Sequence, residues 1–320
     1  MLKGGRFIAL IAGLALGFSA AAQFPNKPIR IVVPYSPGGP LEVWVRPVAE
    51  HLSTALKQPV VMDNRPGAGT TIGAAAVAQA PADGHALFLN ASSYLINAQL
   101  MQNLPYDPQK DLVPVTLAAS TAHVLVAYPG LGIASFKEFL AAAKAKGKAL
   151  SYASFGNGSS GHLAFELLKK TYGFEMLHVP YKGVPQAATD VMGGRLHSMI
   201  IDLSGAVAHV KGGKLTGLAI ASEARSHLMP ELPTFEEASG TRFISRSWFG
   251  FMVRAGTPPD IQRVLNQEIV QALRRPELKD RLRESGIDTY GTTPGEFAAF
   301  MKSESDRFAD AIKFSGTKFE

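Results

Sequence analysis

The stretch Ile31–Arg46, IVVPYSPGGPLEVWVR, sets the pattern that the rest of the chain repeats. The β-branched run within Ile29–Val33 predicts a strand that is buried on both faces. Gly38–Gly39 permit a tight turn, and Pro40 suits the first position of a helix, where its missing N–H would have no partner anyway. The predicted helix, Leu41–Leu56, would direct unpaired N–H groups and its positive dipole end beyond the strand. The turn is therefore either an anion-binding loop or an ordinary strand-to-helix connection.

The N-terminus has the features of a cleaved secretory signal. Lys3 and Arg6 precede the apolar run Phe7–Phe18, which is too short to cross a bilayer, and Ala20–Ala22 supply the small residues of a cleavage site. We expect residues 1–22 to be removed on export.

Composition excludes several classes of function. The chain has 320 residues, of which 46% are hydrophobic and 18% charged, so an ordinary globular protein of about two domains is expected. It has no cysteine, which excludes disulfides, thiolate chemistry and cysteine metal sites. The net charge of +6 is spread without a dense basic run, so nucleic acid is not an expected partner. The eight histidines lack metal-binding spacing, and we expect no metal and no cofactor.

Strand and helix patterns alternate along the chain, which predicts an α/β fold with parallel sheets and right-handed crossovers. Two β-rich segments, Val113–Val126 and Trp248–Val253, interrupt the alternation and indicate crossings between two domains. We therefore predict a first domain of residues 24–124 plus 249–320 and a second domain of residues 125–248.

Polar or glycine-rich turns follow the predicted strands, and most of them open helices. They are Ser36–Gly39, Asn64–Thr70, Asn90–Ser93, Ser154–Ser160 and Tyr181–Gly183. In parallel sheets such strand ends lie on one edge, where ligands bind. With the turns of two domains facing one another, the natural ligand is a small molecule with carboxylates, held by backbone N–H groups and hydroxyls.

One of these turns also allows an enzymatic interpretation. Gly156–Gly161 matches the dinucleotide pattern G-x-G-x-x-G, and Glu175 follows about 20 residues later, as a ribose-binding acid would. An exported chain meets little free NAD, so a loop for a small anion is the preferred interpretation. Ser159, His162 and Asp202 supply the residue types of a serine hydrolase, but no serine stands in a G-x-S-x-G elbow. A secreted enzyme, nucleotide-using or hydrolytic, is the alternative to a binding protein.

Six segments, taken together and in this order, resemble the Bug family, the periplasmic solute-binding receptors of tripartite tricarboxylate transporters. They are Val33–Gly39 with Arg46, Asn64–Gly69, Ala82–Gly84, Ser151–Ser154 with Gly156 and Gly158, His178–Gly183, and Leu232–Thr234 with Glu237. The resemblance implies two Rossmann-like α/β domains of a periplasmic-binding-protein fold with a ligand cleft between them. It also implies a non-enzymatic, monomeric receptor that delivers a small carboxylate to membrane permease subunits. The sequence does not distinguish a permease from a sensor kinase as the partner.

The resemblance, together with the turns described above, predicts a ligand-binding set drawn from both domains. Its members are Ser36, Pro37, Gly38, Gly39, Trp44, Ser92, Ser93, Ser154, Gly156, Asn157, Gly158, Ser159, Tyr181, Gly183 and Asp202.

Two residues depart from the family pattern. Glu42 stands where the family often has aspartate, and the longer acid can still pair with Arg46, four residues further along the helix. Trp44 is bulkier than the pattern suggests, and it could pack in the core or wall a pocket. An indole wall would fit an aromatic carboxylate such as terephthalate, a hypothesis that stands beside di- and tricarboxylates.

Overall fold

The computed structural model describes residues 24–35, 37 and 41–318. The predicted signal, residues 1–22, and the predicted site residues Ser36, Gly38 and Gly39 lie outside this described part. Within it, no helix combines the length and the apolar character that crossing a membrane requires.

The described residues form a ten-stranded mixed sheet that is flanked by helices. The strands are β1 (Ile29–Val33), β2 (Val60–Asn64), β3 (Ala86–Ala91), β4 (Leu112–Ala127), β5 (Ser151–Ser154), β6 (Leu177–Pro180), β7 (Ser198–Asp202), β8 (Thr216–Ile220), β9 (Arg246–Arg254) and β10 (Asp288–Thr289). The helices are α1 (Glu42–Leu56), α2 (Thr71–Ala78), α3 (Ser92–Leu100), α4 (Phe136–Lys146), α5 (Ser160–Tyr172), α6 (Val184–Met192), α7 (Leu203–Lys211), α8 (Phe235–Ser239), α9 (Pro259–Arg274), α10 (Pro276–Glu284) and α11 (Pro294–Ser315).

Strand β4 joins two groups of strands. Residues 112–122 of β4 pair with β9, from which β3, β1 and β2 follow in order, and we call this group with its helices the first lobe. Residues 123–127 of β4 pair with β7 and β8, and β5 and β6 follow β7 to form the second lobe. The two predicted crossing segments thus correspond to β4 and β9, while the exact domain boundaries stay predictions.

The strand directions place the two lobes edge to edge. Strand β9 is antiparallel to both β3 and β4, so β3 runs along β4 toward the second lobe, whereas β7 is antiparallel to β4 and runs toward the first. Through β9, Ala91 at the end of β3 is level with Ala119 of β4, and Asp202 at the end of β7 pairs with His123. The carboxyl ends of the parallel strands in the two lobes therefore face each other across the middle of β4.

Apolar side chains cover both faces of the sheet in each lobe. In β1, Ile31 and Val33 belong to the cluster that includes α1 and α9, while Val32 belongs to the cluster that includes α2 and α11. This alternation follows from the two-residue period of a strand. Strand β1 is buried on both faces, as its β-branched sequence predicts.

Candidate ligand-binding cleft

The helices that follow the facing strand ends begin at the cleft between the lobes. Helices α3, α6 and α7 start directly after or close to the ends of β3, β6 and β7, and in the part of the chain that the structure describes no side chain caps their first-turn N–H groups. Helix α5, after β5, is capped by the hydroxyl of Ser159. Uncapped helix starts offer N–H donors and a positive dipole end to a negatively charged group. The cleft therefore has the backbone chemistry of an anion site.

In the first lobe, the cleft edge is built from the ends of β1, β2 and β3. The hydroxyls of Tyr35 and Ser93 lie 3.4 Å apart, and the Asn64 amide donates to the Tyr35 carbonyl oxygen at 2.9 Å. Burial raises the pKa of the Tyr35 phenol, so this group is a neutral hydroxyl at ordinary pH. Ser92 is buried at the start of α3, and Pro37 is exposed.

Trp44 lies in the core of the first lobe, between α1 and the sheet. Its side chain is fully buried, and its ring centroid is 6.2 Å from that of Phe249 and 5.9 Å from that of Phe251. Both phenylalanines lie on β9, so the indole fills the space between helix and strand. The sequence left open whether Trp44 packs in the core or walls a pocket. The structure places it in the core, with neither face of the indole accessible to a ligand.

In the second lobe, two histidines hold the glycine-rich turn after β5. Nε2 of His178 lies 2.7 Å from the Ser154 hydroxyl, and the Gly158 N–H donates to Nδ1 of His162 at 3.1 Å. The two imidazole rings stack with centroids 3.9 Å apart. Burial lowers the pKa of His162 to about 4 and that of His178 to about 3, so both rings are neutral near pH 7. A neutral Nδ1 can accept the Gly158 proton, which fixes the turn.

The turn that begins at Gly156 therefore lacks the arrangement of a serine hydrolase. The Ser159 hydroxyl accepts from the backbone N–H of His162 at 3.2 Å and so acts as a helix cap. The Asp202 carboxylate bonds to Ser247 instead of to His162. Asn157 is half-buried on the same turn.

Gly158 is a point of contact between the lobes. Its φ of +67° lies in the left-handed region, and a Cβ built on it would lie 2.8 Å from Leu100 Cδ1 on α3. The turn at Gly158 can therefore lie this close to α3 because glycine has no Cβ.

Replacing Gly158 with alanine is expected to reduce both stability and ligand affinity. The left-handed backbone costs an L residue about 1 to 2 kcal/mol, and the new methyl group also requires either the Leu100 side chain or the turn to shift. Gly173→Ala is the matched control, because Gly173 has a φ of +65° and nothing within 4 Å of its virtual Cβ. Chemical denaturation and ligand titration of both variants measure the effect. Equal ligand affinities for the two variants would show that the contact with Leu100 does not shape the cleft.

The predicted turn Tyr181–Gly183 presents backbone groups more than side chains. The Tyr181 hydroxyl donates to Asp190 Oδ2 at 2.5 Å, and Asp190 also pairs with Arg195 at 2.7 Å. The phenol is therefore engaged by α6. Gly183 precedes α6 without capping it by a side chain, which leaves that helix start open.

Asp202 joins a polar network at the base of the cleft, where β4, β7, β9 and α5 meet. The Ser247 hydroxyl donates to Asp202 Oδ1 at 2.7 Å, and it also lies 3.2 Å from Nε2 of His123 and 3.0 Å from the Ser160 hydroxyl. Nδ1 of His123 lies 2.9 Å from the Ser245 hydroxyl. Burial lowers the pKa of His123 to about 3, so its 3.5 Å approach to Asp202 is not an ion pair at neutral pH. Burial also raises the pKa of Asp202 to about 6.

The sequence prediction missed the other members of the network around Asp202. They are His123, Ser160, Ser245 and Ser247. A usable signal was present, since His123 interrupts the otherwise apolar end of β4. A polar group in a buried strand requires partners, and these come from segments distant in sequence.

Basic side chains do not dominate the described part of the cleft edges. Arg65 and Lys182, which follow β2 and β6, are both exposed, and Arg65 pairs with Asp63 at 3.0 Å. Residues 24–35, 37 and 41–318 also contain no cluster of His, Asp and Glu side chains that could hold a metal ion. A bound anion would therefore meet mainly N–H groups and hydroxyls.

The amino-acid sequence is similar to those of known solute-binding receptors. The family described as "Tripartite tricarboxylate transporter family receptor" matches residues 44–316. Protein BugT of Bordetella pertussis is 35% identical over 318 residues, which are 99% of this chain and 97% of that protein.

Solved structures of similar proteins include two with bound acids. The R. palustris protein Rpa4515 with adipate has a TM-score of 0.82 and 30% identity, covering 92% of this chain and 99% of that one. MatC from Rhodopseudomonas palustris with bound malate has a TM-score of 0.78 and 28% identity, covering 90% and 100%. The matches extend over both lobes, so the fold is that of a two-domain periplasmic binding protein. This chain belongs to the Bug family, the solute-binding receptors of tripartite tricarboxylate transporters.

Proposed function

We propose that this protein binds a small dicarboxylate in the cleft between its lobes, in the periplasm, and delivers it to a tripartite tricarboxylate-type permease. The observation that carries the proposal is the meeting of uncapped helix starts from both lobes at one cleft. The similarity to proteins with bound adipate and bound malate supports a carboxylate as the ligand. We further propose that residues 24–124 with 249–320 and residues 125–248 are the two bodies that close on it.

The proposed ligand contacts come from both lobes. They are Ser36, Pro37, Gly38, Gly39, Ser92 and Ser93 from the first lobe and Ser154, Gly156, Asn157, Gly158, Ser159, Tyr181, Gly183 and Asp202 from the second. The N–H groups and hydroxyls of these residues, apart from Pro37, which has neither, would bind carboxylates without an arginine pair.

Aliphatic and aromatic diacids are both candidates. Terephthalate carries two carboxylates on a rigid ring, and it remains the aromatic candidate. The buried position of Trp44 removes indole stacking as its support, so any preference for terephthalate would have to arise from the shape of the cleft.

A screen of organic acids by melting temperature tests the proposal. A ligand that binds the folded state alone stabilises it by about 2.7 kcal/mol at 100 times its Kd. We expect at least one of adipate, malate and terephthalate to raise the Tm, and NAD to leave it unchanged. A Tm that no acid shifts, or that NAD alone raises, would contradict carboxylate binding. Uptake of the active acid by cells with and without the protein then tests delivery to a permease.

A further inference from the structure

Asp202 places a carboxyl group of its own where the proposed anion would bind. It ends β7 and precedes α7 at the base of the cleft. We propose that Asp202 carries a proton when the dicarboxylate is bound, so that binding takes up one proton and the acid form of Asp202 donates to a ligand carboxylate. This inference rests on the proposed function, and it adds that ligand binding is coupled to proton uptake.

The two oxygens of Asp202 have different surroundings. Oδ1 accepts from Ser247 at 2.7 Å, whereas no described residue bonds to Oδ2. The side chain keeps 31% of its surface exposed. Asp202 is also the N-cap residue of α7, a position where aspartate usually accepts from a first-turn N–H, but its side chain makes no such bond. Oδ2 and the uncapped amides of α7 are therefore both free to meet a ligand.

The hydrogen bonds around Oδ1 are compatible with a proton on Oδ2. Ser247 gives its single hydroxyl proton to Asp202, so it must accept from Nε2–H of His123 and from the Ser160 hydroxyl. Nδ1 of His123 then accepts from Ser245. Protonation of Oδ2 leaves Oδ1 a carbonyl oxygen that still accepts from Ser247, so the network stays intact.

The charged and titratable groups of the neighbouring elements do not neutralise Asp202. His123 on β4, His162 on α5 and Tyr35 after β1 are neutral near pH 7, for the reasons given above. Arg246 on β9 donates to the Tyr290 hydroxyl at 3.0 Å and lies 3.7 Å from Glu223. Arg307 on α11 pairs with Glu304 at 2.8 Å. These partners engage both arginines away from the carboxyl group.

A ligand carboxylate brings a second negative charge close to Asp202. Two carboxylates in one site raise the pKa of at least one of them, and the pKa of Asp202 in the free protein is already raised to about 6 by burial. A proton on Oδ2 would turn this repulsion into a hydrogen bond. Above the free pKa a proton must be taken up, so affinity should fall as pH rises, by at most about tenfold per pH unit. Below the free pKa the proton is already present, and this contribution to the pH dependence vanishes.

Calorimetric titration with adipate, malate and terephthalate tests the inference on the full mature chain. We expect Kd to increase between about pH 6 and pH 8. At a fixed pH in this range, titration in phosphate and in Tris should give different heats, because the protons taken up come from buffers with different ionisation enthalpies. The difference should correspond to between half a proton and one proton per ligand.

The Asp202→Asn variant tests the proton uptake without changing the size or shape of the side chain. The amide keeps an oxygen that can accept from Ser247 and places an NH₂ donor where the protonated Oδ2 would be, so it mimics the acid form. We expect this variant to bind with a nearly pH-independent Kd and with equal heats in both buffers. Asp306→Asn is the matched control on an exposed carboxylate, and it should retain the pH dependence and the proton uptake.

Each outcome decides between the two proposals. Binding with a pH-independent Kd and no proton uptake in the unmodified protein would overturn the role of Asp202 and leave carboxylate binding intact. Selective loss of malate binding in Asp202→Asn would also overturn it, because the group would then be an ionised acceptor for the ligand hydroxyl. Absence of binding by all three acids would contradict the proposed function itself.

Discussion

Replacing Trp44 with alanine is expected to lower the free energy of unfolding by about 3 to 5 kcal/mol. The indole is fully buried between α1 and β9, where it contacts the rings of Phe249 and Phe251. Truncation removes this contact and leaves a cavity that a helix packed on a sheet cannot fully close. Urea denaturation measures the change.

Two further variants provide stability changes with which the loss in Trp44→Ala can be compared. Trp44→Phe should cost only roughly 1 to 2 kcal/mol, because it keeps a ring and removes a buried Nε1–H that has no partner among the described residues. Phe314→Ala, on a side chain that is 42% exposed, should change stability by less than about 0.5 kcal/mol. A loss below about 1 kcal/mol in Trp44→Ala would contradict the core placement.

Ligand titration of Trp44→Ala distinguishes the core position from a pocket wall. With the indole in the core, adipate and terephthalate affinities should change by the same factor. A selective loss of terephthalate binding would place the indole against the ligand.

Acid is expected to destabilise the protein steeply, by roughly 3 kcal/mol per pH unit between about pH 6 and pH 4.5. His123, His162 and His178 have folded-state pKa values of about 3, about 4 and about 3, all below the usual value of 6.5. In this range the unfolded chain protonates three imidazoles that the folded chain keeps neutral, so stability falls as pH falls. Asp202, with its pKa raised to about 6, opposes the trend because the folded state binds its proton more readily. The three histidines against Asp202 leave a net difference of about two protons, and His197, whose pKa is also lowered by burial, acts in the same direction as the histidines.

Denaturation midpoints across this pH range measure the effect. His227→Gln, a substitution of an exposed imidazole, is the control. Stability that stays constant down to pH 4.5 would show that the buried imidazoles can protonate in the folded state.

The strands and helices were largely readable from the amino-acid sequence. The prediction for Ile29–Val33 matches β1, and the predicted helix Leu41–Leu56 begins one residue before α1. The crossing segment Val113–Val126 lies within β4, Leu112–Ala127. These features are local, since the spacing of apolar residues and the positions of Pro and Gly determine which backbone conformation buries a face.

The family and the solute-binding role were also predicted, from motifs spread over the chain. The turns after β1, β2, β3, β5 and β6 were predicted to share one edge because parallel strands end there, and the resemblance to the family added Asp202 after β7. Such an argument locates a cleft edge, but it does not orient individual side chains.

Contacts between residues distant in sequence determined the positions and partners of individual side chains. Sequence patterns left Trp44 between core and pocket, and the choice came from Phe249 and Phe251, which lie some 200 residues away. The carboxyl group of Asp202 was assigned to the cleft, but Ser247 and His123 reach it, and Ser160 reaches Ser247, only through strand pairing and helix packing. Periodicity encodes which side chains are buried, because burial on one face depends on near neighbours. Which polar atoms meet, and with what pKa, depends on distant segments that only the folded chain brings together.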